Sequence, residues 1–153
     1  MVDPPLQFIE FIHMDEKDMN SFSPLAGSYA IIQVRDEILF GYNRFRNRWE
    51  LPAGRREGNE THKECAIREL FEETGQQVEH LTFQGIAKIK NLAKQTIKYN
   101  PIFYCKIDEL NEFIPNEEMD RITLWDFTRD IGPVDQVDLQ IWRALRKFTQ
   151  IVN

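Results

Sequence analysis

Residues 54–76 read GRREGNETHKECAIRELFEETGQ, a glycine-bearing loop that runs into one strong helix. Thr61 followed three residues on by Glu64 has the form of a capping box, so the spacing predicts a helix starting there. Gly75 falls where a left-handed glycine ends a helix. At about 100° per residue, Ala66, Ile67, Leu70 and Phe71 gather on one face and Glu69, Glu72 and Glu73 on the adjacent one. Glutamates at i, i+3 and i+4 stand roughly 5–6 Å apart and repel by a few tenths of a kcal/mol per pair. A hard divalent cation offsets such repulsion, because Mg2+ takes oxygen ligands and is usually held by a few carboxylates plus substrate phosphates.

Laid out as fixed positions, the stretch is Gly54, five residues, Glu60, seven residues, Arg68-Glu69-Leu70, one residue, Glu72-Glu73, one residue, Gly75. This pattern resembles the box of the Nudix (MutT-like) hydrolase family. The last position departs from it: an aliphatic residue is usual there and Gln76 stands instead, which touches packing at the helix end rather than the carboxylates. The resemblance covers residues 54–76 and implies an α/β fold, a Nudix-type α/β/α sandwich with a mixed central sheet. It also implies a metal-dependent pyrophosphohydrolase acting on a nucleoside diphosphate linked to another group. Water would attack a phosphorus while Mg2+ or Mn2+ neutralises the developing charge.

On that reading the metal set is Gly54, Glu69, Glu72 and Glu73, with Glu72 and Glu73 innermost and Gly54 offering its carbonyl because no Cβ blocks the approach. The catalytic set is Glu69, Glu72, Glu73 and Arg68. Glu69 is a further ligand or the general base. Arg68 and Glu60 fix the glutamates and the loop by salt bridging. The rival base is an acid on a distant loop, Glu117 or Glu118 with Asp120 beside them, and Glu50 also sits near the box.

The chain has 153 residues, the size of one ordinary domain, read as a single unit over 1–153. MVDPPLQ at the start lacks the basic and apolar regions of a signal peptide, and no apolar run is long enough to span a bilayer. Cys65 and Cys105 are too few and too far apart for a disulfide framework or a zinc site, so a reducing cytoplasm is expected. Cys65 falls among the glutamates on the helical wheel, where a small residue beside the site is favoured over a soft-metal ligand. The net charge of −6 argues against general nucleic-acid binding. Locally, Arg44, Arg46, Arg48, Arg55 and Arg56 crowd the approach to the helix, opposed only by Glu50 and Glu57. Arg48, Arg55 and Arg56 are the candidate phosphate contacts of a small nucleotide-type substrate.

Taken in order, Gln7–Met14 is aromatic and β-branched and predicts a first strand, followed by a polar loop over 15–27. Ser28–Val34 and Glu37–Tyr42 predict a hairpin about Arg35-Asp36, and Trp49–Leu51 a short strand closed by Pro52. Leu81–Lys90 predicts a strand with Gly85 as a bulge. Thr96–Ile107 predicts another, covered on both sides at Ile102 and Tyr104, with Pro101 favouring an edge or a bulge. An acidic loop over 111–120, a last strand over Ile122–Phe127 and a helix from Pro133 and Asp135 complete the chain, Val137, Ile141, Leu145 and Phe148 repeating along that helix.

Tyr42, Phe45, Trp49, Tyr99, Phe103 and Trp125 offer surfaces for base stacking, although aromatics of this kind more often fill a core. NLAKQTIKYNP, downstream of the box, matches none of the family's ADP-ribose, dinucleoside polyphosphate or coenzyme A signatures, which leaves a nucleoside triphosphate, oxidised ones included, as the default substrate. The competing reading is a catalytically silent Nudix-fold module that binds a nucleotide or nucleotide sugar; such modules usually lose box glutamates, and this chain keeps them. An isomerase on the same fold needs further metal-binding histidines, and His13, His62 and His80 are scattered. Homodimers are common in the family, by analogy alone.

Overall fold

Alternating and doubly apolar runs become strands, and the two periodic segments become the helices that cover them. The computed structural model describes residues 4–152, with side chains to residue 148, so residues 1–3 of the N-terminal stretch lie outside it. The strands are β1 (Leu6–His13), β2 (Ser28–Val34), β3 (Glu37–Asn43), β4 (Arg48–Glu50), β5 (Ala53–Gly54), β6 (Thr82–Asn91), β7 (Thr96–Ile107) and β8 (Met119–Trp125), with helices α1 (His62–Thr74) and α2 (Gln136–Val152). The sheet runs β1-β6-β7-β2-β3-β4, with β5 added on β2 and β8 on β3. Among the described strands only β2 and β7 pair in parallel, so the sheet is mixed.

β2 is nearly all apolar because both its faces are covered. Ala30 and Ile32 pack with Leu39 and Phe103 against Ala66 and Leu70 of α1. Ile31 packs with Phe40 and Ile102 against Ile141, Trp142 and Leu145 of α2. The result is an α/β/α sandwich. Burying one such side chain contributes about 1.5–3 kcal/mol, far more than the glutamate repulsion on α1, so tertiary packing holds that helix in place.

Local signals set the helix ends. Thr61 Oγ1 accepts from the Glu64 amide at 3.1 Å while Glu64 Oε1 accepts from the Thr61 amide at 2.9 Å. Gly75 takes φ 75° and donates to the Phe71 carbonyl. Asp135 Oδ1 accepts from the Asp138 amide at 3.0 Å, capping α2.

Several expectations change. The segment 15–27 contains a short 3-10 helix, Glu16–Ser21, which buries Met19. β8 covers Met119–Trp125 rather than Ile122–Phe127, because Met119 and Arg121 find partners on β3 while Phe127 turns out with φ 69°. Pro101 does not mark an edge: β7 lies between β6 and β2. It sits just before the β2 ladder begins at Ile102, and the bulge lies on β6 between Phe83 and Gly85, opposite Phe103 and Ile102. Phe71 is half exposed rather than part of the apolar face. In steps of about 100° it lies roughly 140° from Ala66, whereas Glu73 lies within about 20° of Ala66 and is buried.

Candidate active site

β5 brings the start of the box loop against the helix that follows it, with Tyr29 facing Ala53 and Ser28 facing Gly54. The Ala53 amide donates to Glu73 Oε1 at 3.1 Å. The Glu69 carboxyl fills the space a Cβ on Gly54 would occupy. Gly54 is therefore required for room rather than for an unusual backbone angle. Its carbonyl accepts from the Cys65 thiol at 3.2 Å, and a Cβ on Gly27 would come within 2.8 Å of the same oxygen. Cys65 is thus a buried small residue under the strand, with its thiol pKa pushed up chiefly by burial.

Burial first, and then the charges of Glu69 and Glu118, push the Glu73 carboxyl up to about 10 against the pull of the Ala53 N–H. Glu69 is likewise raised by burial, although its hydrogen bond from Arg68 pulls the other way. These two acids, one turn apart, are held partly out of water beside a third.

Arg68 organises the rest of the box. Its Nε and Nη2 grip Glu60 at 2.6 and 3.0 Å, its Nη1 donates to Glu69 at 2.9 Å and to Glu72 at 3.1 Å, and its Nη2 also donates to the Arg55 carbonyl at 2.9 Å. Bonding to Glu60 leads the causes that raise the Arg68 pKa. Glu72 stays on the solvent side of the helix, its side chain 54% exposed.

Glu69, Glu73, Ala53 and Gly54 form one wall of a cavity of about 640 Å³. Of the two rival loop glutamates, Glu118 lines the cavity and Glu117 does not. Its backbone is pinned by its amide donating to Asn116 Oδ1 and its carbonyl accepting from the Arg44 amide, at 3.0 and 2.8 Å. Arg48 and Arg55 line the cavity, whereas Arg56 does not and donates to the Glu60 carbonyl at 3.2 Å. Arg48 bridges Glu50 and Asp135 at 2.9 Å each. Trp49, Phe103 and Trp125 are core residues, and Phe45 is exposed.

Asp138 and Lys98 are among the cavity residues that the sequence reading did not place there. Asp138 is buried at the start of α2, its oxygens accepting from the Tyr29 hydroxyl and the Leu51 amide at 2.9 Å each. Lys98 enters from β7. Neither has a local signal: Asp138 reads as an ordinary first-turn acid, and Lys98 as the polar side of an alternating strand.

Among the described residues no three carboxylate, imidazole or thiol groups converge into a ready-made metal cage. Arg68 engages Glu69 and Glu72 instead, supplying positive charge to both. The donors are nonetheless hard oxygens, and Glu69 and Glu73, held against the Ala53–Gly54 backbone, suit a small divalent cation.

Paired acids beneath a strand end without a Cβ, on an α/β/α sandwich, define a Nudix-type site. The chain matches the NUDIX domain over residues 25–139 and belongs to that family. With its box glutamates retained, it stands among the family's hydrolases. Its fold resembles the Bacillus subtilis pyrophosphohydrolase BsRppH at TM-score 0.70 and 20% identity, covering 95% of this chain and 90% of that one. It also resembles the NUDIX domain of Shewanella oneidensis NrtR, solved with ADP ribose, at 0.68 and 16%, covering 89% and 99%. A MutT NUDIX hydrolase from Burkholderia pseudomallei aligns at 0.67 and 16%, covering 80% and 99%. At these identities the likeness is one of fold. No curated protein matches the chain.

Proposed function

We propose that this chain is a Mg2+- or Mn2+-dependent hydrolase that cleaves the diphosphate linkage of a nucleoside diphosphate derivative, with a nucleoside triphosphate, oxidised ones included, as the default substrate. The observation that carries the reading is the placement of the two box acids on one cavity wall, Glu69 against Gly54 and Glu73 accepting from the Ala53 amide. Gly54, Glu69, Glu72 and Glu73 would hold the ion, with Glu118 available from the loop across the cavity. When bound, such an ion neutralises charge developing on the diphosphate and lowers the pKa of a coordinated water.

The chain's own groups do the rest. Arg68 orients Glu69 and Glu72 through its fork of donors. Glu69 accepts the proton of the attacking water, being already fixed on the helix, whereas Glu118 is the rival acceptor. Arg55 and Arg48 face the phosphates from the cavity wall, and Arg56 supports the loop through the Glu60 carbonyl. Residues 1–153 act as one domain in the cytoplasm, with no role in nucleic-acid or membrane binding, and pairing into a homodimer follows the family analogy.

BsRppH is a pyrophosphohydrolase and the NrtR domain binds ADP ribose. The second likeness favours a rival reading as a ligand-binding module. One screen separates the two: purified protein with Mg2+ or Mn2+ against nucleoside triphosphates, ADP-ribose, nucleotide sugars, dinucleotides and coenzyme A. Metal-dependent release of phosphate, pyrophosphate or a nucleoside monophosphate is expected. Saturable binding of one ligand without turnover would give the site to the binding module.

A further inference from the structure

We propose that Asn116 is a positioning residue: it holds the acidic loop against α1 so that Glu118 stays at the cavity with the box acids, and it thereby sets the affinity of the site for a divalent cation. The inference rests on the ion site of the preceding reading.

The last carbonyls of a helix have no partner within it. On α1 the Phe71 carbonyl accepts from the Gly75 amide, whereas the Glu72 carbonyl accepts from Asn116 Nδ2 at 3.1 Å. The other half of the same side-chain amide closes a turn. Asn116 Oδ1 accepts from the Glu118 amide at 3.0 Å and the Met119 amide at 2.8 Å, and the Asn116 amide donates to the Met119 carbonyl at 2.9 Å. Asparagine suits both tasks, because one planar group carries an acceptor for the turn and a donor for the helix. A single side chain thus joins the backbone of Glu72, a proposed ligand, to the backbone of Glu118.

The other side of Glu118 is tied to the sheet. Its carbonyl accepts from the Arg44 amide at 2.8 Å, and buried Met119 opens β8 opposite Asn43. These bonds fix where β8 begins but do not reach α1; Asn116 makes that link. Glu118 lines the cavity with Glu69 and Glu73. The Glu73 pKa is raised by burial and then by the charges of Glu69 and Glu118, so the three acids share one electrostatic neighbourhood. Like charges repel, and a loop acid drifts from two helix acids unless its backbone is held. An acid already kept at the cavity costs an entering ion less ordering than one on an untethered loop. The rotamers of the Glu118 side chain are left for the ion to order.

The test is calorimetric titration of Mg2+ into the intact chain, beside urea denaturation of the same proteins in chelator. Asn116→Ala should weaken Mg2+ binding by about fivefold or more, the scale of one or two net hydrogen bonds. Glu118→Gln should weaken it comparably, and the double variant should bind no more weakly than Glu118→Gln alone. Asn91 is the control: its Oδ1 accepts from the Ala93 and Lys94 amides at 3.0 Å each, a turn of the same kind between β6 and β7, and it does not line the cavity. Asn91→Ala should lose stability and keep its Mg2+ affinity. If Asn116→Ala does not fold, Asn116→Ser, which keeps a short acceptor for the turn but lacks the amide donor, is titrated with the same expectation. Unchanged affinity on replacing Asn116, equal losses in Asn116→Ala and Asn91→Ala, or additive losses in the double variant overturns the proposal. A wild type that binds no Mg2+ overturns the metal reading and the positioning role with it. A wild type that binds Mg2+ but hydrolyses nothing overturns the hydrolase reading alone, and the positioning of Glu118 stands.

Discussion

The side chain of Gln76 bonds the backbone of Asn111 in both directions: Nε2 donates to the Asn111 carbonyl at 2.9 Å, and Oε1 accepts from the Asn111 amide at 2.6 Å. Gln76 is fully buried, and it occupies the box position where an aliphatic residue is usual. The departure has a structural use. It ties the acidic loop to the end of α1, and Asn116 adds a second tie by donating to the Glu72 carbonyl at 3.1 Å. Glu118 follows two residues later and enters the cavity.

Replacing Gln76 with Leu fills the space but leaves the Asn111 amide and carbonyl without these partners. A loss of about 1–3 kcal/mol in unfolding free energy is expected, read by urea denaturation. Hydrogen exchange over residues 110–118 should accelerate more than exchange in the sheet. A Gln76→Leu protein as stable as wild type, with an equally protected loop, would remove this role.

Glu73→Gln keeps the side chain's size and the acceptor for the Ala53 amide while removing a metal-binding charge. The fold should persist. Metal-dependent turnover should fall by about a hundredfold or more, since the ion's charge stabilisation amounts to several kcal/mol. Near-wild-type turnover at saturating Mg2+ would take Glu73 out of the ligand set.

Glu69 and Glu118 make opposed demands as base candidates. If Glu69 is the base, Glu69→Gln lowers the single-turnover rate by about 10²–10⁴-fold and largely preserves metal affinity, while Glu118→Gln retains most of the rate. We expect that outcome, because Glu69 is fixed on a helix and held by Arg68, whereas a loop group must be ordered at an entropic cost. Calorimetric Mg2+ titration beside single-turnover kinetics checks it, and a full rate in Glu69→Gln gives the role to the loop.

Asp138 makes stability depend on pH. Burial, then the charge of Asp135, raises its pKa above the usual carboxylate range, against the pull of the Leu51 amide and the Tyr29 hydroxyl. The folded state therefore holds a proton that the unfolded chain releases near pH 4. This contribution is fully present below the unfolded pKa and is lost as pH rises toward the folded one. Asp138→Asn cannot ionise and retains an acceptor for Leu51. Its unfolding free energy should gain on that of wild type as pH rises from about 4 to 8, measured by urea titration in chelator. Parallel curves would refute the assignment.

Much of this protein is written locally. Thr61, Glu64 and Gly75 bound α1 because caps are made by residues within a turn of each other, and Thr96 and Ile107 bound β7 because alternation is a property of one strand. The spacing from Gly54 to Gly75 names the acids for the same reason, since i, i+3 and i+4 fall together on any helix. What the helix presents to its neighbours is another matter. Glu73 rather than Phe71 is buried, because β5 and β2 determine which side of α1 is covered. Gly54 is glycine because Glu69 occupies the space beside it, a contact across fifteen residues of sequence. Glu118, Asp138 and Lys98 reach the cavity from a loop, a helix start and a distant strand. No periodicity relates those positions; only the pairing of β2 with β7, and the packing of both helices on the sheet between them, brings their side chains to one place.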